Sequence, residues 1–414
     1  MRLKDHQIIK SLLDTDLYAY SQGRLIFDKH LDVHEEEDFV NRTTSVNLVQ
    51  AIEETELREQ LDALRDLRLT EDELAYLSGF EWITAGYLDF LRDLRIPPIH
   101  VEFRHGDDPK LFIHVEGPWC EALWPETMIL SIVNELYYTG VHGLIKTDRD
   151  FSFALARGTL ALQNKMAKIQ RYPNIEFIEF GTRRRFCRRW QEMVVESLVE
   201  RMPLQIVGTS NVALAKKFGI DPSGTMAHRL LAVYSALFGD DPEAIRASHN
   251  RLFDDWVEVF GPGKLSIALT DTWGTDFFFR TFGAERAQAW WGTRQDSGDP
   301  DLYAARAVEF YKSFGINPRG KMVIFSDGLD EDKIIGLYER WDQKIDCGFG
   351  WGTNLTNDLG LPPLSIVVKP VRANGKDIVK LSDNPAKAIG KPEVIEKYKR
   401  IFDYQPQEAV TPRY

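Results

Sequence analysis

The sequence predicts an α/β protein in which an irregular parallel α/β barrel carries an α+β domain formed from both chain ends. After Pro118, short apolar segments alternate with long helical runs, as in parallel sheets with helical crossovers. Each of these segments ends in a polar turn. Before Pro118, the pattern instead mixes amphipathic helices with a hairpin. We therefore expect an N-terminal α+β domain (1–120), a barrel (121–362) and a C-terminal segment (363–414) that returns to the first domain.

The N-terminal part contains two runs with helical periodicity, Ser45–Leu64 and Glu71–Phe90. Val101–Arg104 and Leu111–Val115 flank a glycine turn and predict a β-hairpin. The acidic residues 14 and 16 are interpreted as caps of the following helix, and Glu35–Glu37 as a solvated loop.

The barrel part alternates strand and helix candidates. The predicted strands are Ile175–Phe180, Leu204–Val207, Leu265–Leu269, Ala289–Gly292 (the weakest pattern), Lys321–Phe325 and Ile345–Phe349. The predicted helices are Phe151–Gln170, Arg189–Glu200, Arg229–Leu237, Pro242–Val259 and Asp301–Ser313. Beyond them, Leu364–Val371 and Ile378–Leu381 predict two strands joined by a turn at Asn374-Gly375.

The composition narrows the class of protein. With 63 acidic and 51 basic residues, the chain carries a net charge of −12, which argues against binding nucleic acid through its overall field. An anionic ligand would need a local basic pocket. Three widely spaced cysteines exclude a disulfide framework or zinc motif and indicate a reducing compartment. Residues 1–6 lack an apolar signal core and no run is long enough to span a bilayer, so we expect a cytoplasmic protein without membrane contact.

The polar turns after the strands hold the candidate site. In a parallel barrel the carboxyl ends of the strands meet at one mouth, whereas an open doubly wound sheet has its site at one switch point. Six equivalent turns favour the barrel. They supply arginines, carboxylates, hydroxyls and glycines, a set that suits phosphates and a ribose.

A histidine, His228, follows the small-residue turn Ser223–Ala227, whose N–H groups can face an anion. Structural interpretations remain open beside the functional ones. His228 can be a capping residue, 350–353 only a tight turn, and 296–299 a cap of the next helix. The cluster Arg184, Arg185, Arg188 and Arg189 is interpreted as a solvated helix face.

Seven ordered motifs resemble nicotinate phosphoribosyltransferases. They are Asp-Thr-Asp-Leu-Tyr (14–18), Glu-Phe-Gly-Thr-Arg-Arg (179–184), Gly-Thr-Ser-Asn (208–211), Gly-Thr-x-Ala-His (224–228), Leu-Thr-Asp-Thr (269–272), Arg-x-Asp-Ser-Gly-Asp (294–299) and Phe-Gly-x-Gly-Thr-Asn (349–354). The resemblance implies a type II phosphoribosyltransferase, usually a head-to-tail homodimer with shared active sites. It implies transfer of phosphoribose from phosphoribosyl pyrophosphate to nicotinate, giving nicotinate mononucleotide and pyrophosphate for NAD biosynthesis. It also implies Mg²⁺, ATP as a co-substrate coupled through a phosphohistidine, and no tightly bound organic cofactor.

The same resemblance assigns roles by position. It implies that His228 is the phosphohistidine and that Asp271 orients its ring. It also implies that Phe180 stacks on the pyridine ring and that Tyr18, contributed by a partner subunit, closes the other face. The residues implied around the base, ribose and phosphates are Arg183, Thr209, Ser210, Arg294, Asp296, Ser326, Asp327, Gly350, Gly352 and Thr353, with Arg42 and Lys369 as further phosphate contacts. Asp296 or Asp327 is implied near Mg²⁺.

Ser210 bears on the choice of substrate. Related nicotinamide-specific enzymes place an aspartate there, which accepts from an amide and would repel nicotinate. A serine hydroxyl can donate instead, so we expect nicotinate as the base. The alternatives are a nicotinamide phosphoribosyltransferase and a non-catalytic nucleotide sensor of the same fold. A barrel glycosidase gains nothing from so many arginines and glycine turns.

Overall fold

A computed structural model describes residues 7–263 and 265–405. The predictions made for residues 1–6 and for the end of the C-terminal segment lie outside this part of the chain. The strands are β1 (His34–Asn41), β2 (Ile99–Arg104), β3 (Lys110–Pro118), β4 (Phe177–Glu179), β5 (Ile206–Thr209), β6 (Ile267–Leu269), β7 (Gly292–Gln295), β8 (Met322–Phe325), β9 (Asp346–Trp351), β10 (Ile366–Ala373) and β11 (Lys376–Asp377).

The α-helices surround two sheets. They are α1 (Leu17–Lys29), α2 (Leu48–Ala51), α3 (Glu54–Asp62), α4 (Glu71–Leu77), α5 (Ala85–Asp93), α6 (Trp119–Ala122), α7 (Pro125–Thr139), α8 (Asp148–Ile169), α9 (Arg188–Arg201), α10 (Val212–Phe218), α11 (His228–Ala236), α12 (Pro242–Phe260), α13 (Thr275–Thr281), α14 (Gly283–Ala289), α15 (Pro300–Ser313), α16 (Glu331–Trp341), α17 (Thr353–Thr356) and α18 (Pro392–Ile401). Single 3₁₀ turns occupy Ala63–Asp66, Thr182–Arg184, Pro318–Gly320 and Pro385–Lys387. Among the described residues, none of these helices combines the length and apolar character that crossing a bilayer requires.

Six parallel strands form the first sheet, in the order β5-β4-β9-β8-β7-β6. They are three to six residues long and mostly buried, as expected of a parallel sheet that is covered on both faces. The segment 221–226 contacts the two outermost strands. Thr209 N in β5 donates to Asp221 O at 3.1 Å, and Thr225 Oγ1 donates to Ile267 O in β6 at 3.0 Å. The turn that precedes His228 thus lies between the sheet edges and brings the histidine to the carboxyl ends of the strands.

Both chain ends contribute to the second sheet, which is antiparallel with the order β11-β10-β1-β3-β2. Strand β10 pairs with β1 in a register that places Phe39 opposite Val368. The predicted return of the C-terminal segment is confirmed, and so are the hairpin of β2 and β3 and the turn at Asn374-Gly375. The exact domain boundaries stay predictions.

Several local predictions were wrong. The run Ser45–Leu64 breaks into α2 and α3 because Glu53 caps a new helix, and Glu71–Phe90 breaks because Thr84 caps α5. The predicted strand Ala289–Gly292 begins only at Gly292, after α14. The predicted strand Ile378–Leu381 is replaced by β11, which ends at Asp377.

The other wrong predictions concern charged residues that the sequence placed in solvent. Glu35–Glu37 is part of β1 rather than a loop, and Glu35 and Glu37 are fully buried. Arg185 is buried rather than solvated, because its guanidinium forms a bidentate pair with Asp14 at 2.6 and 2.8 Å. A buried charge needs such a partner, and a partner so distant in sequence cannot be read from local pattern.

Candidate active site

A cavity opens at the carboxyl ends of the parallel strands, where α11, β10 and the loop after β11 also reach it. Every site residue predicted from the sequence lines this cavity except Thr209 and Asp271: Tyr18, Arg42, Phe180, Arg183, Ser210, His228, Arg294, Asp296, Ser326, Asp327, Gly350, Gly352, Thr353 and Lys369. Thr209 and Asp271 are fully buried behind its wall. The convergence expected of parallel strands therefore brings the predicted residues together.

His228 is the first residue of α11 and lies among two carboxylates and a hydroxyl. Its Nε2 is 2.9 Å from Asp296 Oδ2 and 3.5 Å from Asp271 Oδ1, while Nδ1 is 3.0 Å from Thr272 Oγ1. Ala227 before it is extended, so the helix begins at the histidine without a side-chain cap. The structure thus gives the imidazole a fixed ring plane rather than a capping role.

Burial and charge act in opposite directions on this histidine. Burial lowers the pKa of His228, and the neighbouring Asp271 only partly offsets that effect. For Asp296, the hydrogen bond to His228 and the charge of Arg294 outweigh burial and hold the carboxyl pKa well below its usual range. A neutral imidazole next to ionised carboxylates follows, which is the state that can act as a nucleophile.

Asp271 is supported from behind the cavity. Its Oδ2 accepts hydrogen bonds from Ser297 and from Ser382, the latter at 3.2 Å, while its Oδ1 is buried and accepts none. The charges of His228 and Lys380 outweigh burial and lower the pKa of the carboxyl. Its position fits the orienting role that the resemblance implies.

One end of the cavity is aromatic. The ring of Phe180 occupies the space that a side chain at position 350 would need, since a Cβ there would lie 2.4 Å from Phe180 Cδ2. Tyr18 donates or accepts a hydrogen bond with Thr127 at 3.2 Å, and the Arg183 guanidinium lies 5.7 Å from its ring centre. Tyr18 thus lines the same cavity as Phe180 of its own chain, and the contribution of Tyr18 from a partner subunit stays a prediction.

The other end is cationic, although the whole chain is acidic. The basic residues that line the cavity are Arg42, Arg183, Arg184, Arg229, Arg294, Lys369, Lys380 and Lys387. Arg183 lies beside Tyr18 at the aromatic end, whereas Arg42, Lys369, Lys380 and Lys387 lie near one another. Burial lowers the pKa of Lys380 to about 8, against the opposing effect of Asp271 and Asp296. Gly352 and Thr353 also line the cavity where α17 begins, with Gly352 close to the backbone of Phe180. The local basic pocket required for anionic ligands is present.

Comparison with known proteins agrees with this geometry. The model of the nicotinate phosphoribosyltransferase (NAPRTase) family matches residues 175–406, and that of its N-terminal domain matches residues 13–134. The nicotinate phosphoribosyltransferase of Neisseria meningitidis serogroup C is 37% identical over 411 residues, covering 97% of this chain and 99% of that protein. The chain belongs to the nicotinate phosphoribosyltransferase family.

Solved structures of the family share the fold. The crystal structure of nicotinate phosphoribosyltransferase from Vibrio cholerae matches with a TM-score of 0.87 and 31% identity, covering 98% of this chain and 96% of the other. That from Porphyromonas gingivalis matches with a TM-score of 0.83 and 30% identity, covering 96% and 100%. The N- and C-terminal parts are therefore included in the likeness.

Within this nicotinate phosphoribosyltransferase fold, Ser210 and Thr209 both form hydrogen bonds to buried carboxylates. The Ser210 hydroxyl donates to Asp16 Oδ1 at 2.6 Å, so its only proton is already directed to a buried carboxylate. Thr209 similarly donates to Glu179 Oε2 at 2.6 Å. These hydrogen bonds hold the end of β5 in place, and the roles of the two residues toward a ligand stay predictions.

The turn 296–299 both caps the next helix and faces the cavity, and the turn 350–353 lines the cavity beside Phe180. Asp299 caps α15 by accepting from Asp301 N at 2.8 Å, while Asp296 of the same turn faces His228. Gly350 makes room for an aromatic ring, and Gly352 lies on the cavity wall.

Sequence reasoning missed several charged residues that line the cavity, among them Arg184, which was interpreted as part of a solvated helix face. The others include Asp16, Glu126, Arg229, Lys380 and Lys387. Asp16 looked like a helix cap, yet its side chain makes no capping bond. Lys380 and Lys387 follow β10 and not a strand of the parallel sheet, so the expectation that site residues lie at the ends of parallel strands could not identify them. Only the predicted return of the C-terminal segment indicated that residues from this part of the chain could reach the site.

A divalent cation has suitable donors here. His228, Asp271 and Asp296 each offer one ligand atom, and these atoms lie within 4.8 Å of one another. Asp271 Oδ1 is a buried oxygen without a hydrogen-bond partner. Asp327, by contrast, accepts from Lys387 Nζ at 2.8 Å. Mg²⁺ prefers oxygen ligands, including those of phosphates, so the carboxylate oxygens fit the ion better than the imidazole does.

Proposed function

We propose that this chain joins nicotinate to phosphoribosyl pyrophosphate in the cavity at His228, giving nicotinate mononucleotide and pyrophosphate. The observation that carries the proposal is one continuous cavity with an aromatic end and a cationic end, in a chain of the nicotinate phosphoribosyltransferase family. The aromatic end suits a flat pyridine ring and the cationic end suits a pyrophosphate.

The base would lie at the aromatic end. Phe180 and Tyr18 supply ring surfaces, and Arg183 and Arg294 supply positive charge toward the nicotinate carboxylate. With the base fixed, its ring nitrogen forms a bond to the anomeric carbon as the bond from that carbon to the pyrophosphate oxygen breaks. The bonding electron pair leaves with pyrophosphate, and the chain contributes positioning and charge stabilisation.

The phosphates would lie at the cationic end. Gly352 and Thr353 form the wall for the ribose 5′-phosphate, while Arg42 and Lys369 reach the same space. Asp296 and Asp327 lie where the ribose hydroxyls and Mg²⁺ are expected, and Ser326 holds Asp296 Oδ1 through a 2.8 Å hydrogen bond. When bound, Mg²⁺ would neutralise charge on the departing pyrophosphate.

His228 would carry phosphate from ATP. One imidazole nitrogen forms a bond to the γ-phosphorus as the bond to ADP breaks, and water later releases the phosphate. Asp271 and Asp296 fix the ring while burial keeps it neutral. The enzyme would work in the cytoplasm, consistent with three buried free cysteines. We also propose a homodimer, for which exposed apolar side chains such as Leu204 and Leu160 offer contact surface.

Product analysis tests the activity. Purified protein is incubated with phosphoribosyl pyrophosphate, Mg²⁺ and either nicotinate or nicotinamide, with and without ATP, and the nucleotides are separated by chromatography. We expect nicotinate mononucleotide and pyrophosphate in equal amounts, with more product when ATP is present. Nicotinamide mononucleotide as the main product, or no pyrophosphate at all, would contradict the proposal.

A further inference from the structure

Arg229, the residue after the histidine, lies at the centre of a buried carboxylate cluster. Its Nη2 is 2.7 Å from Glu35 Oε2 and 2.6 Å from Glu37 Oε1, and its Nη1 is 3.3 Å from Glu126 Oε2. The side chain is almost completely buried and also donates to Leu123 O at 2.9 Å. One helix residue thereby joins β1 to the loop and helix that include Leu123 and Glu126.

Glu126 connects this cluster to the aromatic end of the cavity. Its other oxygen, Oε1, is 3.6 Å from Arg183 Nη1, and Arg183 Nε is 3.6 Å from Asp16 Oδ2. Arg183 therefore has two acidic neighbours, while nearly half of its side chain is exposed to the cavity. A single guanidinium between two carboxylates has little net charge left to attract an anion.

Arg229 changes this balance because it gives Glu126 a second cation. We propose that Arg229 is a specificity-determining positioning residue: by neutralising Glu126, it allows Arg183 to attract the carboxylate of the base. This inference rests on the proposed function, since it takes nicotinate as the base. Arg229 acts through Glu126 and Arg183 and does not itself take part in the chemistry.

Arg229 also faces Glu35 and Glu37, so the charge that it can give to Glu126 depends on the protonation of these two carboxyl groups. Burial raises the pKa of Glu35 to about 7 and raises that of Glu37 well above its usual range. These two carboxyl groups therefore favour the protonated form beside Arg229, which leaves the charge of the arginine to Glu126. Glu126 lines the cavity beside Arg183, so it is the carboxylate whose charge reaches the base.

The test compares Arg229→Met, Arg229→Lys and the double variant Arg229→Met with Glu126→Gln. We expect Arg229→Met to raise the KM for nicotinate at least about tenfold, because an uncompensated carboxylate competes for Arg183. The KM for phosphoribosyl pyrophosphate should change less than about threefold. Arg229→Lys keeps the charge but not the two-nitrogen geometry of the guanidinium, so it should raise the KM for nicotinate by less than about tenfold. Arg58→Met removes an exposed, ion-paired arginine outside the cavity and serves as the control.

The double variant distinguishes an effect of the Glu126 charge from a purely structural role of Arg229. If Arg229 acts through Glu126, removing both charges returns the KM for nicotinate to within about threefold of wild type. A purely structural role for Arg229 predicts no such rescue. An unchanged KM in folded Arg229→Met, a failure of rescue, or a tenfold loss in folded Arg229→Lys overturns the inference. If the wild type itself makes no nicotinate mononucleotide, the proposed function fails instead.

Discussion

At the residue scale, His228 combines a lowered pKa with two carboxylates at its Nε2 side. Burial disfavours the imidazolium, while the carboxylates would stabilise it. Because burial prevails, the ring is neutral at physiological pH, which is the state that the proposed phosphorylation requires.

This balance predicts the pH dependence of phosphorylation. A histidine whose pKa lies below its usual value stays neutral until the pH falls below about 6.5. We therefore expect the rate of phosphoprotein formation from γ-labelled ATP to be constant between about pH 8 and pH 6.5 and to fall only in more acidic buffer. Rapid-quench labelling in base-stabilised samples measures this rate. A decline that begins above about pH 7 would show that the carboxylates prevail over burial.

Ser210 provides a second prediction at this scale. In Ser210→Asp, the new carboxylate would face Asp16, which now accepts the serine hydroxyl. We expect the KM for nicotinate to rise by at least about tenfold, because two carboxylates at this end repel an anionic base. Ser210→Ala removes the hydrogen bond without adding charge and is the control. If Ser210→Asp and Ser210→Ala change the preference for nicotinate over nicotinamide by the same amount, the charge explanation is refuted.

At the scale of elements, the turn after β4 is fixed by its neighbours. Glu179 accepts from Thr209 Oγ1 at 2.6 Å and from Gln191 Nε2 at 3.0 Å, so the ends of β4 and β5 are joined. Phe180 N donates to Trp351 O at 2.8 Å, which joins β4 to β9. Phe180 is thus presented to the cavity by three strands and not by a mobile loop.

A substitution at Gly350 tests whether the position of the Phe180 ring matters for binding of the base. A Cβ at this position would lie 2.4 Å from the Phe180 ring, so Gly350→Ala must displace the ring. We expect the KM for nicotinate to rise at least about fivefold with a smaller effect on the KM for phosphoribosyl pyrophosphate. Gly320→Ala is the matched control, because a Cβ there meets no atom within 4 Å. Steady-state kinetics that leave Gly350→Ala equal to the control would show that the ring is not needed for binding.

At the scale of the whole molecule, the chain ends complete the cavity. Strand β10 pairs with β1, and Trp273 stacks on Phe402 of the C-terminal segment with ring centres 4.4 Å apart. Lys369 in β10 and Lys380 after β11 reach the cavity from this segment. The local basic site in an acidic chain therefore depends on the chain returning to its N-terminal domain.

Buried carboxyl groups predict how the stability of the whole fold depends on pH. Burial raises the pKa of Glu135 and Glu179 to about 7. Since their pKa is higher in the folded state than in the unfolded state, the stability that they contribute is present at low pH and is lost as the pH rises through about 7. We expect Tm to fall between about pH 5.5 and pH 8. Glu135→Gln should flatten this decline, whereas Glu309→Gln at an exposed position should not. A Tm that rises over the same range would contradict the assignment.

Much of this architecture could be predicted from the sequence, because alternation of strands and helices and polar strand ends are local signals. The family motifs then gave roles to residues such as Phe180 and His228. Long-range pairing could not be predicted. Arg185 finds Asp14, and Arg229 finds Glu35 and Glu37, only after the chain has folded. The hydrogen bond from Ser210 to the buried Asp16 could not be predicted either, because the two residues lie far apart in sequence.

The ratio of ADP to nicotinate mononucleotide formed in one reaction mixture tests the central claim most directly. The cavity is proposed to couple phosphoribosyl transfer to ATP hydrolysis through His228. Wild-type protein should form ADP together with nicotinate mononucleotide, and His228→Asn should form no acid-labile phosphoprotein and lose the stimulation by ATP. Undiminished ATP-coupled synthesis by His228→Asn would contradict the account.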